Sequence, residues 1–151
     1  MDIGYDKRHI AACDERKTPM PVTALYASLL AIIFIFLAVR VIKVRSSEKV
    51  SLGDGGKPDL IRRMRVHGNF TEYVPMALVL LALAESVHTE PVLLHVLGIL
   101  LVIARCLHAW GMSQSPENFR FRVAGMAMTF TVIGITALVC FFGSLWQGWL
   151  I

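Results

Sequence analysis

Charge is what this chain has least of. Only 17% of its 151 residues are Asp, Glu, Lys or Arg, and four long stretches hold none: Val22 to Val39, Tyr73 to Ala84, Pro91 to Ala104 and Val123 to Ile151. Hydrophobic residues fill 56% of positions and mean hydropathy is +0.61, which excludes an ordinary soluble domain and implies a membrane protein. Cysteine is scarce as well. Cys13, Cys106 and Cys140 are odd in number and have no metal or redox spacing, so a disulfide framework is not expected. Cys106 and Cys140 read as small apolar fillers of a core. His67 and His108 lack a helical partner at ligand spacing, so no metal is expected. Residues 1–19 lack the apolar centre of a signal peptide. They read as a disordered or artefactual extension, with Met20 as the working start of one domain over residues 20–151.

A bilayer span needs about 20 apolar residues. The first and last uncharged stretches meet that alone, and the middle two meet it by carrying polar ends. The expected fold is therefore all-α, a bundle of four transmembrane helices: Pro21 to about Val44, Asp59 to Ala84, Pro91 to Met112, and Phe119 to the C-terminus. Too few residues remain for a separate soluble domain. Thr89 is expected to cap the third helix ahead of Pro91, and Pro75 to kink the second. Gly125, Gly134, Gly143 and Gly148 would let neighbouring helices approach closely. Trp146 and Trp149 stand where an outer aromatic belt would. The segment SSEKVSLGDGGKP, Ser46 to Pro58, reads as a flexible loop and a mobile cover over a site.

Basic residues are distributed unevenly. Lys and Arg number 8 from Arg40 to Arg65 and 3 from Arg105 to Arg122, with none from Glu85 to Pro91 and none after Arg122. By the positive-inside rule the first and third loops face the cytoplasm, and the second loop and C-terminus face outward. The 4 basic residues before Met20 are the discordant segment. A multi-pass membrane protein is expected.

The run RVHGNFTEYVP, Arg65 to Pro75, places polar side chains at the mouth of the second helix. Arg65, Asn69 and Glu72 stand at i, i+4 and i+7, with Arg62 one turn earlier, and so share one face. Ionisable groups at a membrane span cost roughly 2 to 4 kcal/mol each on insertion scales, which makes a ligand site the default reading. Arg40, Arg62, His67, Tyr73, Arg105, His108, Arg120 and Arg122 gather at the same end. Arginine pairs carboxylates bidentately and a glutamate binds an ammonium, so an anionic ligand carrying carboxylates and an amino group would suit this set. An arginine beside a ligand thiol would favour its thiolate. The rival reading is an Arg65–Glu72 ion pair that only fixes helix packing.

The stretch RRMRVHGNFTEYVP closely resembles the signature of the MAPEG family, the membrane-associated proteins of eicosanoid and glutathione metabolism. Arg62, Arg65, Asn69 and Glu72 match its glutathione-binding pattern in turn, and Tyr73 and Pro75 also match. The resemblance implies a homotrimer of four-helix protomers with glutathione, a co-substrate, held between subunits near the cytosolic face. It implies that Arg65, Asn69, Glu72 and Tyr73 bind glutathione from one protomer. An arginine at the start of the fourth helix, Arg122 or else Arg120, would approach the thiol from another. Arg40 would match the family's basic end of the first helix. Two departures stand out: Ile61 replaces the usual acidic residue, and His108 and Met112 replace two tyrosines. ARCLHAWGMS resembles the variant of bacterial members, which implies a bacterial inner-membrane location. The implied activity is a glutathione-dependent transferase or peroxidase acting on lipophilic electrophiles, with catalytic roles for Arg122 and Arg120. The alternative is a non-catalytic protein that binds lipid or a small hydrophobic ligand. Expected partners are membrane lipids, a lipophilic small molecule and further copies of the chain, and no nucleic acid. A small multidrug exporter would need a membrane-embedded carboxylate, and Glu72 lies too near the cytoplasmic end among arginines for that role.

Overall fold

The computed structural model describes residues 20–148, with side-chain surroundings as far as Trp146. The readings made for residues 1–19, for Cys13 and for Trp149 lie outside the described residues. Four helices follow one another: α1 (Pro21–Ser47), α2 (Pro58–Ser86), α3 (Pro91–Ser113) and α4 (Phe119–Gly148). All four are long and apolar enough to cross a membrane, and the chain is a multi-pass integral membrane protein.

Proline sets three of the four starts. Pro21, Pro58 and Pro91 each open a helix, where a missing N–H is harmless. Thr89 does not cap α3. The residue before a proline is pushed toward extended geometry, so Glu90 becomes the boundary, and its carbonyl accepts from the amides of Leu93 and Leu94. Asp59 lies in the first turn of α2 and pairs with Arg63 one turn on, at 2.9 Å. The start of α1 is held from a distance. The Glu85 carboxylate accepts from the Val22 amide at 3.0 Å and the Thr23 amide at 2.8 Å, satisfying two orphan donors of the helix N-terminus.

Each helix buries one stripe. On α2 this is Val66, Phe70, Val74, Ala77, Leu81 and Ala84, spaced by three and four residues, and it meets Tyr26, Leu30 and Leu37 of α1 and Leu94, Leu97 and Leu101 of α3. The opposite faces stay apolar and open, as with Ile32, Phe36, Phe141 and Phe142, which suits lipid or another copy of the chain. The α3–α4 pair makes the most extensive contact, and α1 and α4 flank the bundle without approaching each other among the described residues.

Gly125 explains the tightness of α3 against α4. A Cβ there would lie 2.6 Å from both the Ala104 carbonyl oxygen and the His108 amide nitrogen, so the two backbones touch just below His108. Gly143 similarly accommodates Val87, whereas Gly134 faces open space; the surroundings of Gly148 lie outside the described residues. Cys140 is half-buried and its thiol donates to the Leu80 carbonyl at 3.3 Å. Cys106, expected as a core filler, is instead exposed on the outer face of α3. It follows the fully buried Arg105 by about 100° of helix rotation, and a thiol suits an apolar exterior as well as a core.

The first loop is also more ordered than its composition implies. Arg45 donates to the Gly53 carbonyl at 2.8 Å, Lys57 pairs with Glu48 at 2.8 Å, and Asp54 accepts from the Gly56 amide at 2.9 Å. Gly53, Gly55 and Gly56 all have positive φ, the backbone conformation that glycine adopts without strain. The glycines here serve fixed turns rather than looseness.

Candidate functional site

At the basic end of the bundle α2, α3 and α4 enclose a cavity of about 640 Å³, within the roughly 300–1,000 Å³ span of small-molecule sites. The α2 stripe supplies Arg65, Asn69 and Glu72. Facing them stand His108 and Met112 from α3 and Arg122 and Met126 from α4, with Asp54 of the first loop at the rim. The i, i+4, i+7 spacing of α2 thus aims three polar side chains into one space, and the i, i+4 spacing of His108 with Met112 does the same from α3.

Arg65 and Glu72 are both exposed to that space, and among the described residues neither forms an ion pair. The packing-pair reading of the stripe therefore lacks its contact. Arg122 is engaged: its Nη1 donates to the two Glu117 carboxylate oxygens at 2.9 and 3.0 Å. That pair is partly exposed, and pairs of this kind are worth about 1 kcal/mol or less. His108 is almost fully buried, and its Nδ1 has no hydrogen-bond partner. A buried orphan of this kind is unfavourable unless a ligand or water completes it.

Beside the cavity lies Arg105, fully buried. Its Nη2 donates to Asn69 Oδ1 at 2.6 Å and its Nη1 to Thr129 Oγ1 at 3.4 Å, while the Phe70 ring lies 5.6 Å from the guanidinium carbon. Every one of these partners is neutral.

Comparison with known proteins assigns the family. The chain matches the model of the MAPEG family over residues 23–142. It is also 33% identical over 126 residues to the inner membrane protein YecN of Escherichia coli strain K12, covering 83% of this chain and 95% of the relative. The protein of the same name from Escherichia coli O6:H1 matches to the same extent. The chain belongs to the MAPEG family. The MAPEG match includes the membrane-crossing part of all four helices and every residue of the cavity.

Five of the nine site residues expected from sequence share the cavity of this MAPEG chain: Arg65, Asn69, Glu72, His108 and Arg122. Within a single chain Arg122 already faces the α2 stripe, where the family likeness implies an arginine from a neighbouring copy. The other four lie elsewhere in the single chain. Arg40 lines a separate groove between α1 and α3, donating to Ser113 Oγ at 3.0 Å. Arg62 turns toward the third loop, with its Nη2 3.5 Å from Ser115 Oγ. Tyr73 is half-buried with its ring edge-on to Phe130 at 5.4 Å, and Arg120 is exposed. His67 turns toward α1, where its ring lies 4.9 Å from that of Phe34.

Sequence reasoning gathered Arg105 with the other basic residues and gave it no role in the site. The signal was present in the spacing Arg105, His108, Met112, which is i, i+3 and i+7 and so one helix face. Asp54 and Met126 carried no comparable signal, since a loop acid and an apolar methionine acquire a role only through tertiary placement.

Proposed function

We propose that this MAPEG protein is a glutathione-dependent transferase or peroxidase of the bacterial inner membrane, acting on lipophilic electrophiles that arrive through the bilayer. The observation that carries the reading is the convergence of Arg65, Asn69, Glu72, His108 and Arg122 on one cavity, with Arg65 and Glu72 left without ion-pair partners among the described residues. Glutathione is complementary to that set. Its carboxylates suit the guanidinium of Arg65, its ammonium suits Glu72, and its peptide groups suit the Asn69 amide. The thiol loses its proton to solvent, and Arg122 stabilises the thiolate left behind, so catalysis is by charge stabilisation rather than by a general base. In conjugation the thiolate sulfur bonds to the electrophilic carbon and displaces its leaving group; in reduction it attacks the terminal oxygen of a hydroperoxide, the O–O bond breaks to release the alcohol with a proton from water, and a second glutathione converts the sulfenic acid to disulfide and water.

The positive-inside distribution supports a cytoplasmic side for the cavity, and the name of the Escherichia coli relative fits an inner-membrane location. A homotrimer would cover the open apolar faces and bring Arg120, at the start of α4 of an adjoining copy, toward the cavity. One observation favours the second reading, a non-catalytic binder of lipid or a small hydrophobic ligand: Met64, Met112 and Met126 line the cavity, giving it a polarizable apolar wall.

Purified protein in detergent or proteoliposomes tests the first reading. Glutathione raises the melting temperature and a chlorodinitrobenzene-type electrophile is conjugated above background; Arg65→Ala and Glu72→Ala abolish the melting shift while the proteins stay folded. Glutathione protection without conjugation keeps the glutathione site and removes the transferase activity, and the absence of both effects rejects the glutathione site in favour of the binder.

A further inference from the structure

Arg105 is a cation in the middle of the bundle with no anion of its own. The side chain is fully buried, its acceptors are an amide oxygen, a hydroxyl and, at 3.8 Å, the Met126 sulfur, and its Nε has no partner. No carboxylate pairs with it among the described residues. A buried guanidinium without a counter-charge is strongly unfavourable, and a methionine or leucine of similar volume would pack the same space without that penalty. Two of its contacts, Asn69 and Met126, are cavity walls, and His108 one turn along α3 is a third.

The contact with Asn69 has a definite chemical sense. A guanidinium only donates, so Asn69 must present its oxygen to Arg105 and leave its NH₂ for the cavity. Arg105 thereby converts an amide that can point either way into a fixed donor. It also adds a unit of positive charge behind that donor, screened by protein rather than by water.

We propose that Arg105 is a positioning residue of the cavity, a charge held without a counter-ion so that a bound anion supplies one, acting through the oriented Asn69 amide. This rests on the glutathione reading for the identity of the anion, a thiolate with two carboxylates. The other charged and titratable groups facing Arg105 or the same space are Tyr73, Arg65 and Glu72 from α2, His108 from α3, Arg122 from α4 and Asp54 from the first loop. None of them neutralises Arg105 directly.

Thr129 makes a clean test possible. It is fully buried, touches Arg105 and does not line the cavity; its hydroxyl also donates to the Gly125 carbonyl at 2.8 Å, a bond that a carboxylate loses and that the ion pair gained is expected to outweigh. Thr129→Asp sets a carboxylate against the guanidinium from the side away from the ligand. In full-length protein, followed by thermal melting, size-exclusion chromatography and thiolate absorbance, the variant is expected to melt above wild type without ligand. It is also expected to bind glutathione roughly tenfold more weakly and to raise the bound thiol's pKa by about one unit, the effect of cancelling one nearby charge at an effective dielectric near 20. Arg105→Lys, which keeps the charge and loses the fork that orients Asn69, is expected to weaken binding while leaving the bound thiol's pKa near that of wild type.

A Thr129→Asp protein that is folded but no more stable than wild type, or one that binds glutathione with wild-type affinity and thiol pKa, overturns the proposal. Should Thr129→Asp not fold, Arg105→Met decides: folded with at least a tenfold loss of affinity supports it, and folding lost in both variants marks Arg105 as structural only and overturns it. If wild type binds no glutathione, the functional reading fails by itself, and the ligand-free melting of Thr129→Asp still judges the unneutralised charge.

Discussion

Arg122 stands between two carboxylate claims: Glu117 holds its Nη1 at 2.9 and 3.0 Å, and the cavity wall it forms is where a ligand anion would compete. The pair is partly exposed, so its grip is worth a few tenths to about 1 kcal/mol. Glu117→Gln removes the competing charge and keeps a polar side chain of nearly the same shape. Glutathione affinity, measured by isothermal titration, is expected to rise by up to about fivefold, with the fold unchanged by circular dichroism. A fall in affinity would show instead that Glu117 is needed to aim Arg122. At this scale the sequence was readable for α2, because Arg65, Asn69 and Glu72 lie within two turns of one helix and periodicity alone puts them together. It was less readable for Arg105, Asp54 and Glu117, whose roles depend on which other helix or loop they meet.

The elements are held at a few specific contacts rather than by cap residues. Gly125 is one of them: with a Cβ position 2.6 Å from two backbone atoms of α3, Gly125→Ala forces α4 away from α3 until that overlap is relieved. Overpacking of this kind costs about 1–3 kcal/mol, and it also moves Arg122 and Met126, which share the helix. The expected outcome is a lower melting temperature and weaker ligand binding together, whereas Gly134→Ala, facing open space, changes neither by more than a small amount. Helix limits were legible from proline positions and uncharged run lengths, since both act locally. The α3 cap went to Glu90 rather than Thr89 because Pro91 dictates the geometry of its neighbour. The first loop was misread as loose because serine and glycine content reports conformational freedom in the unfolded chain, and not the contacts of Arg45, Glu48 and Lys57 that fix the turns.

For the whole molecule, membrane insertion, helix count and family were all present in the chain as runs, loop charges and the α2 signature. The family match and the Escherichia coli relative agree with them. What composition did not contain is the enclosure: a cavity with mixed polar and apolar walls at one end of an apolar bundle, lined by three helices and a loop, with a buried guanidinium against it that pairs with no carboxylate among the described residues. The central claim is that this enclosure binds glutathione and holds its thiol as thiolate. Thiolate absorbance answers it directly, followed as glutathione is titrated into purified wild-type and Arg122→Ala protein at neutral pH. The account predicts a saturable thiolate signal in wild type that is lost in Arg122→Ala although glutathione still binds. A wild-type titration in which glutathione binds with no thiolate signal, or an Arg122→Ala signal equal to that of wild type, would contradict it.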